Sequence, residues 1–292
     1  MARLSERLPE NVSGDFYVDR SCIDCDTCRR IAPEVFSEGE SFSYVHRQPA
    51  SETERLRALM ALVACPTASI GTVSRIPATP AVGLFPEPVD GEVFFCGFTS
   101  EDSFGAWSYL LRRPATRGNV LVDSPRAAAP LMARLGEWGG VRIMFLTHRD
   151  DVADHEAFHR RFGCERVLHQ DDITPATRSV ERPLRDQAPV RLDDDLLAIP
   201  VPGHTRGHTV LLYRETYLFT GDHLAWSPER QQLQAFRDVC WYSWKEQIRS
   251  MERLLDHRFE WVLPGHGWRY HAPSAAAMRS ELERCLAWMR GA

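Results

Sequence analysis

Four times in this chain a short apolar run stops on a knot of histidine and aspartate. Val141-Arg142-Ile143-Met144-Phe145-Leu146 leads into Thr147-His148-Arg149-Asp150-Asp151-Val152-Ala153-Asp154-His155. Leu196-Leu197-Ala198-Ile199 leads into Pro202-Gly203-His204-Thr205-Arg206-Gly207-His208. Tyr217-Leu218-Phe219 leads into Thr220-Gly221-Asp222-His223, and Trp261-Val262-Leu263 into Pro264-Gly265-His266-Gly267. Runs of this length and composition read as buried strands. A strand that stops on such a cluster delivers polar side chains to a sheet edge, where rigid elements can hold a metal. Any one cluster taken alone is also readable as a polar loop, or as an Asp cap opening the next helix. Four strand ends of the same kind are hard to explain as coincident loops. In the three later clusters, glycine beside the candidate ligand permits a tight turn that aims the side chain inward. Imidazole and carboxylate together suit zinc, iron or manganese.

The order Thr-His with an Asp/His cluster, Gly-His-Thr-x-Gly-His, Thr-Gly-Asp and Pro-Gly-His-Gly resembles the metallo-β-lactamase superfamily, over residues 91 to 292. The resemblance implies an αββα sandwich with one or two metals at the sheet edges. The superfamily's first motif usually reads His-x-His-x-Asp-His. Here it reads His148-Arg149-Asp150-Asp151-Val152-Ala153-Asp154-His155, two residues longer, with carboxylates where the second histidine belongs. On the superfamily's pattern, His148, His204 and a carboxylate of the Asp150–Asp151 pair hold a first ion. Asp150 is chosen because it is freer to point back toward His148. Asp222 bridges, and Asp154, His155 and His266 hold a second ion, with Asp222 and Asp154 as the catalytic carboxylates. That assignment requires the loop to absorb two extra residues. Without the gap, Val152 and Ala153 fall on the Asp-His pair, and neither binds metal. His208, four residues after His204, is read as a residue that orients a ligand or touches substrate, or as a strand-start histidine.

The N-terminal part carries a second pattern. Cys22-Ile23-Asp24-Cys25-Asp26-Thr27-Cys28 is followed at a distance by Cys65-Pro66. Three thiolates at spacing three, with a remote fourth before proline, suit an iron–sulfur cluster; a structural zinc is the alternative. The stretch from about residue 12 to 72 resembles a bacterial-type ferredoxin. In two-cluster ferredoxins the triple run continues to a further Cys-Pro, but here Ala32-Pro33 stands at that place. The resemblance therefore implies one cluster, a [4Fe–4S] centre held by Cys22, Cys25, Cys28 and Cys65. The other cysteines, Cys96, Cys164, Cys240 and Cys285, are isolated and read as small buried apolar residues.

These patterns divide the 292 residues into a ferredoxin-like domain (1–72), a linker (73–90) holding Pro77, Pro80, Pro86 and Pro88, and a metallo-β-lactamase-fold domain (91–292), an α+β chain. Expected strands are Phe16-Tyr17-Val18, Ser43-Tyr44-Val45, 93–96, 107–111 and 119–123. Expected helices are 51–64 (opening on a Ser51 to Glu54 capping box), 125–135, 151–162 (stopped by Gly163), 241–256 and 273–289. A net charge of −5 with scattered Lys and Arg gives no electrostatic footprint for nucleic acid. No run is long enough to span a bilayer, and the first residues lack a signal peptide's apolar core, so the expected compartment is the cytoplasm.

Three functional classes fit. The first is a hydrolase acting on a small molecule through a metal-bound hydroxide, with zinc or iron as the ion. The second is a non-haem iron oxidoreductase that exchanges electrons with a partner through the cluster. A carboxylate in place of imidazole hardens the site toward iron. Within the superfamily, flavodiiron proteins carry an acidic residue at that place. Persulfide dioxygenases need only the residues matched here by His148, His204 and Asp222. The third class is a non-catalytic iron–sulfur binding protein. The aromatic run Val239-Cys240-Trp241-Tyr242-Ser243-Trp244 either walls a substrate pocket or packs a helix on the sheet.

Overall fold

A computed structural model describes residues 1–291. The described residues group into two compact units. One comprises 1–141 and 153–163; the other comprises 142–152 and 164–292.

In the first unit the chain begins as expected. Phe16–Val18 pairs antiparallel with Ile70–Thr72, and Phe36–Glu38 with Ser43–Val45. The helix Glu52–Ala64 opens on Ser51, whose Oγ accepts from the Glu54 N–H at 3.2 Å, while Glu54 Oε2 accepts from the Ala50 N–H at 2.8 Å. This is a capping box displaced by one residue on its return bond. Ala58, Ala61 and Ala64 are wholly buried, so this helix packs closely along its small-residue face.

The proline-rich segment is not wholly extended. It contains a short helix, Thr79–Val82, with Pro80 in its first turn, where a missing N–H costs nothing. It also contains a strand, Glu87–Asp90, that pairs with Val93–Phe95. Pro88 is tolerated there because the strand is paired on one side only within this unit. Val93–Phe95, Tyr109–Leu111 and Val120–Val122 continue the antiparallel ladder, inside the runs expected as strands. The helix Ala129–Glu137 follows.

The helix expected over 151–162 starts four residues later, at His155, and ends at Phe162, where Gly163 closes it. Residues 151–154 are loop, with Ala153 at φ 22° and Asp154 at the N-cap position. Asp151 and Asp154 therefore do not share a helical turn.

In the second unit Ile143–Phe145, Glu165–His169 and Arg182–Leu184 run parallel. A second sheet folds as a meander of Val190–Asp193, Leu196–Pro200, Thr209–Tyr213 and Tyr217–Gly221. Trp261–Pro264 then lies parallel to Tyr217–Gly221, after the helix Trp244–Leu254, and pairs with Tyr270–His271. Ile199, Val210, Leu212, Leu218 and Val262 pack with Met251, Leu254, Met278, Leu282 and Leu286 of this helix and of Ala275–Gly291. The polarity of these strands decides the location of the site. Leu196–Pro200 and Tyr217–Gly221 are each antiparallel to Thr209–Tyr213, so they point the same way, and Trp261–Pro264 points with them. Three of the four ligand clusters thus leave one edge of one sheet. No described helix is long and apolar enough to cross a membrane.

Candidate metal centre and cluster cradle

The fourth cluster joins the other three through the backbone. The carbonyl of Thr147 accepts from the Thr209 N–H at 2.8 Å, which ties the end of Ile143–Phe145 to the meander. His148 follows directly and is fully buried. Its Nδ1 lies 3.0 Å from Thr147 Oγ1, which leaves Nε2 to face inward. Around that nitrogen stand three other donor atoms. Asp150 Oδ2 is 3.9 Å away and Asp222 Oδ2 is 3.7 Å away. His204 Nε2 is 3.6 Å from each of the same two carboxylate oxygens.

Four of the six edges of this cage are therefore 3.6–3.9 Å. Four donors bonded at the usual zinc distances of about 2.0–2.2 Å stand roughly 3.3–3.6 Å apart at the corners of a tetrahedron. His148, Asp150 and His204 form one grouping within reach of a single ion, and Asp222 Oδ2 stands close to both imidazoles, although Asp150 and Asp222 fall in different groupings. His148 Nε2, both ring nitrogens of His204 and Asp222 Oδ1 are buried with no hydrogen-bond partner among the described residues. Buried polar atoms without partners are costly unless something else satisfies them, and a cation would. The residues fit a metal ion.

The electrostatics agree. Burial holds the His148 imidazole down at about 4, so the ring is neutral and its lone pair available at neutral pH. Burial pushes the Asp222 carboxyl up, but the His266, His148 and His204 rings outweigh it and hold the group below the usual range. The facing His204 ring holds Asp150 low as well, against its partial burial. A neutral His148 ring and ionised Asp150 and Asp222 carboxylates are protonation states that suit a divalent cation.

The other expected ligands are placed differently. Asp154 Oδ2 accepts from the Ala127 N–H at 2.8 Å, within the first unit. His155 is buried on the first turn of its helix. Two groupings of metal-ligating atoms occur among the described residues, one of His148, Asp150 and His204, the other of His148, Asp151 and Asp222. Neither grouping contains Asp154, His155 or His266. His266 lies near enough to Asp222 to depress its carboxyl. His208 Nε2 accepts from the Asp222 N–H at 3.2 Å. With that lone pair engaged, the ring positions the backbone of Asp222.

Two residues in the site were not legible as such. Asp151, passed over for Asp150, is buried, and its Oδ2 lies 4.0 Å from His148 Nδ1. The signal was its adjacency to Asp150. Asp172 is buried and accepts from the Arg149 N–H at 3.1 Å and the Gly207 N–H at 2.7 Å, as well as from the Thr205 hydroxyl. It clamps the loop after His148 to the loop after His204, and nothing in the local pattern of Gln170-Asp171-Asp172 announces that.

The glycines serve two ends. Gly221 takes a left-handed φ of 48°, the turn conformation expected. Gly265 does not, and its need is space. A Cβ there would stand 2.9 Å from Asp151 Oδ2 and 3.2 Å from Asp222 Oδ1.

In the first unit Cys22, Cys25, Cys28 and Cys65 line one cavity with Val18, Ile23 and Ile70. The backbone aims donors at the sulfurs. The Asp24 N–H donates to Cys22 Sγ at 3.4 Å, and the Ser69 N–H to Cys65 Sγ at 3.3 Å. Asp24, Asp26 and Ala68 take positive φ, as tight ligand loops require. Burial pushes the Cys25 thiol up to about 11, Cys28 well up, and Cys22 upward. Thiolates in such a cavity require positive charge, which iron supplies. Four sulfurs converging on one apolar cavity, with N–H donors behind them, fit a cluster better than a disulfide; all four are free thiols.

A family model for the 4Fe-4S single cluster domain of Ferredoxin I matches residues 18–72. No curated protein sequence matches the chain. Among solved structures, VMB-1 aligns with a TM-score of 0.52 at 14% identity, covering 70% of this chain and 95% of its own. DIM-1 metallo-beta-lactamase aligns with a TM-score of 0.50 at 14% identity, covering 68% and 96%. ETHE1 from Myxococcus xanthus aligns with a TM-score of 0.49 at 21% identity, covering 66% and 85%. At such identities the likeness is one of fold. The chain thus joins a single-cluster ferredoxin domain at residues 18–72 to the fold of the metallo-β-lactamase superfamily over about two-thirds of its length.

Proposed function

We propose that this protein is a metal-dependent oxidoreductase acting on a small molecule at one ion held by His148, Asp150, His204 and Asp222. The observation that carries the reading is the set of four imidazole–carboxylate distances of 3.6–3.9 Å that link His148 and His204 to Asp150 and Asp222. Two oxygen donors harden the site, and two histidines with carboxylate ligation favour iron(II) over zinc. When bound, such an ion supplies Lewis acidity and one-electron chemistry. The protein's own residues fix the rest. Thr147 and His208 set the orientation of His148 and of the Asp222 backbone, and Asp172 holds the two ligand loops together. Asp150 is the open side of the cage, with its side chain 46% exposed against 10% for Asp222, so substrate enters past Asp150. The ferredoxin domain supports a redox role, because a cluster fused to the catalytic fold has a direct use when electrons move. The substrate and the electron partner are small-molecule and protein respectively in this reading.

A hydrolytic reading is favoured by one further observation. Asp151 groups with His148 and Asp222, and His266 lies near enough to Asp222 to lower its carboxyl. A second ion there would make a two-metal hydrolase.

Metal analysis of anaerobically purified protein separates the two. The redox reading expects one iron beyond the cluster, lost in Asp150→Ala with the cluster absorbance retained. Two zinc ions per chain, or full retention of non-cluster metal in Asp150→Ala, would overturn it.

A further inference from the structure

Beside the metal cage is a feature the chemistry above does not use. Of the aromatic run Val239 to Trp244, Trp244 opens the helix Trp244–Leu254 and packs on the core, while the aromatic residues before it stay open. Trp241 is 60% exposed and Tyr242 49%, with Val239 at 37%. Large aromatic side chains are rarely left so open without a reason. This segment is nevertheless held in place. The Tyr242 N–H donates to the carbonyl of His204 at 3.0 Å, and the Ser243 N–H to the carbonyl of Gly203 at 3.0 Å. The Cys240 thiol donates to the same Gly203 carbonyl at 3.1 Å. Three hydrogen bonds thus fasten residues 240–243 to the loop that carries His204. The Trp241 ring stands 6.2 Å from the His204 ring, tilted by 58°. His204 is in turn a corner of the cage on its open Asp150 side.

We propose that Trp241, with Tyr242 and Val239, is the specificity wall of the active site, and that the substrate joins a metal-binding polar head to a flat or aliphatic apolar group lying on Trp241. The proposal rests on the metal-site reading and deepens it by naming the substrate's chemical class. An indole face gives a rigid apolar platform at low entropic cost. Its attachment to the ligand loop fixes the distance between platform and ion. A ligand bound at the ion beside His204 has that platform within reach of its non-coordinating end, whose burial then contributes to affinity. An apolar group buried there contributes about 25 cal/mol per Å² removed from water, enough for an order of magnitude in affinity from a phenyl ring. The substrate class is therefore amphipathic, not a bare inorganic anion.

The test uses two chelating probes with the same head, acetohydroxamate and phenylacetohydroxamate, titrated into full-length iron-loaded protein. The wild type is expected to bind the phenyl probe at least about tenfold tighter. In Trp241→Ala that preference should collapse to within about twofold, with acetohydroxamate affinity, metal content and cluster absorbance unchanged. Trp241→Phe should retain most of it. Equal binding of the two probes by the wild type would overturn the wall. So would a preference that survives in Trp241→Ala, or a Trp241→Ala variant that changes only the oligomeric state. If neither probe binds and Asp150→Ala does not alter the metal content, it is the metal-site reading that fails.

Discussion

At the scale of single residues, the site depends as much on what holds the ligands as on the ligands. Asp172 makes the case. It is buried and spends both carboxylate oxygens on three donors in two loops, the N–H groups of Arg149 and Gly207 and the Thr205 hydroxyl. Those donors flank His148 on one side and His204 on the other. In Asp172→Ala they lose their acceptor inside the protein, where each unsatisfied group costs about 1–3 kcal/mol. The expected loss of stability is about 2–4 kcal/mol in urea unfolding, together with at least tenfold weaker retention of the non-cluster metal. A variant that unfolds earlier but keeps its metal would show that Asp172 braces the fold and not the cage. The four residues that converge here were each nominated from sequence, since each follows the end of a strand and carries a side chain able to bind metal. Asp172 was not, because its role depends on which loops meet, and a residue 33 positions from its partner Thr205 leaves no local pattern.

At the scale of elements, periodicity found the strands that matter and misjudged where one helix begins. The run Val141 to Leu146 is apolar enough to read as a strand, and the observed strand is Ile143–Phe145. The helix after it was expected from Asp151 because acidic residues favour a first turn. In the structure, loop backbone persists to Asp154, and it is this loop that frees Asp150 and Asp151 to turn toward His148. Strands such as Arg182–Leu184 were missed because three residues with a proline at their centre carry no strand pattern and their pairing is set by neighbours. Next to that strand, Glu181 accepts from Arg166 three times, from the backbone N–H at 2.9 Å, Nε at 3.0 Å and Nη2 at 2.7 Å. Burial raises the Glu181 carboxyl, yet the Arg166 bonds prevail and hold it at about 2. In the unfolded chain it titrates near about 4.3. Between those values the unfolded state binds the additional proton. The stabilisation is therefore complete above pH 4.3 or so, and disappears as pH falls toward 2. Glu181→Gln should be less stable than wild type at pH 6. The gap should narrow steadily in urea titrations from pH 5 to pH 2.5. A gap independent of pH would mean that the carboxylate's charge contributes nothing to this strand.

At the scale of the whole molecule, the chain's two patterns predicted two domains meeting at a proline-rich linker, and contacts within the first compact unit cross that boundary repeatedly. Thr99 donates to the Ala64 carbonyl from its N–H at 3.2 Å and its hydroxyl at 2.7 Å. Arg126 Nη2 donates to the Val63 carbonyl at 3.3 Å, and Arg57 pairs with Glu87. The most consequential contact is at the cluster. Thr27 Oγ1, between Cys25 and Cys28, donates to the carbonyl of Gly105 at 3.0 Å. Gly105 itself, at φ 80°, lies so close to Cys25 that an added Cβ would stand 2.7 Å from the sulfur. Gly105 is outside the 18–72 segment that matches the ferredoxin family model, so a residue of the 91–292 region helps enclose the cavity of the four cysteines. Gly105→Ala in the full-length protein should therefore damage the cluster cradle beyond the cost of its backbone. A positive-φ alanine alone costs about 1–2 kcal/mol. Gly163→Ala is the matched control, since Gly163 has φ 65° and nothing within 4 Å of its added Cβ. Both variants should lose a similar amount of backbone stability, but only Gly105→Ala should bleach faster in air or purify with substoichiometric cluster iron. If the two variants hold their chromophores equally well, the Gly105 contact is incidental, and the cluster belongs to residues 18–72 alone.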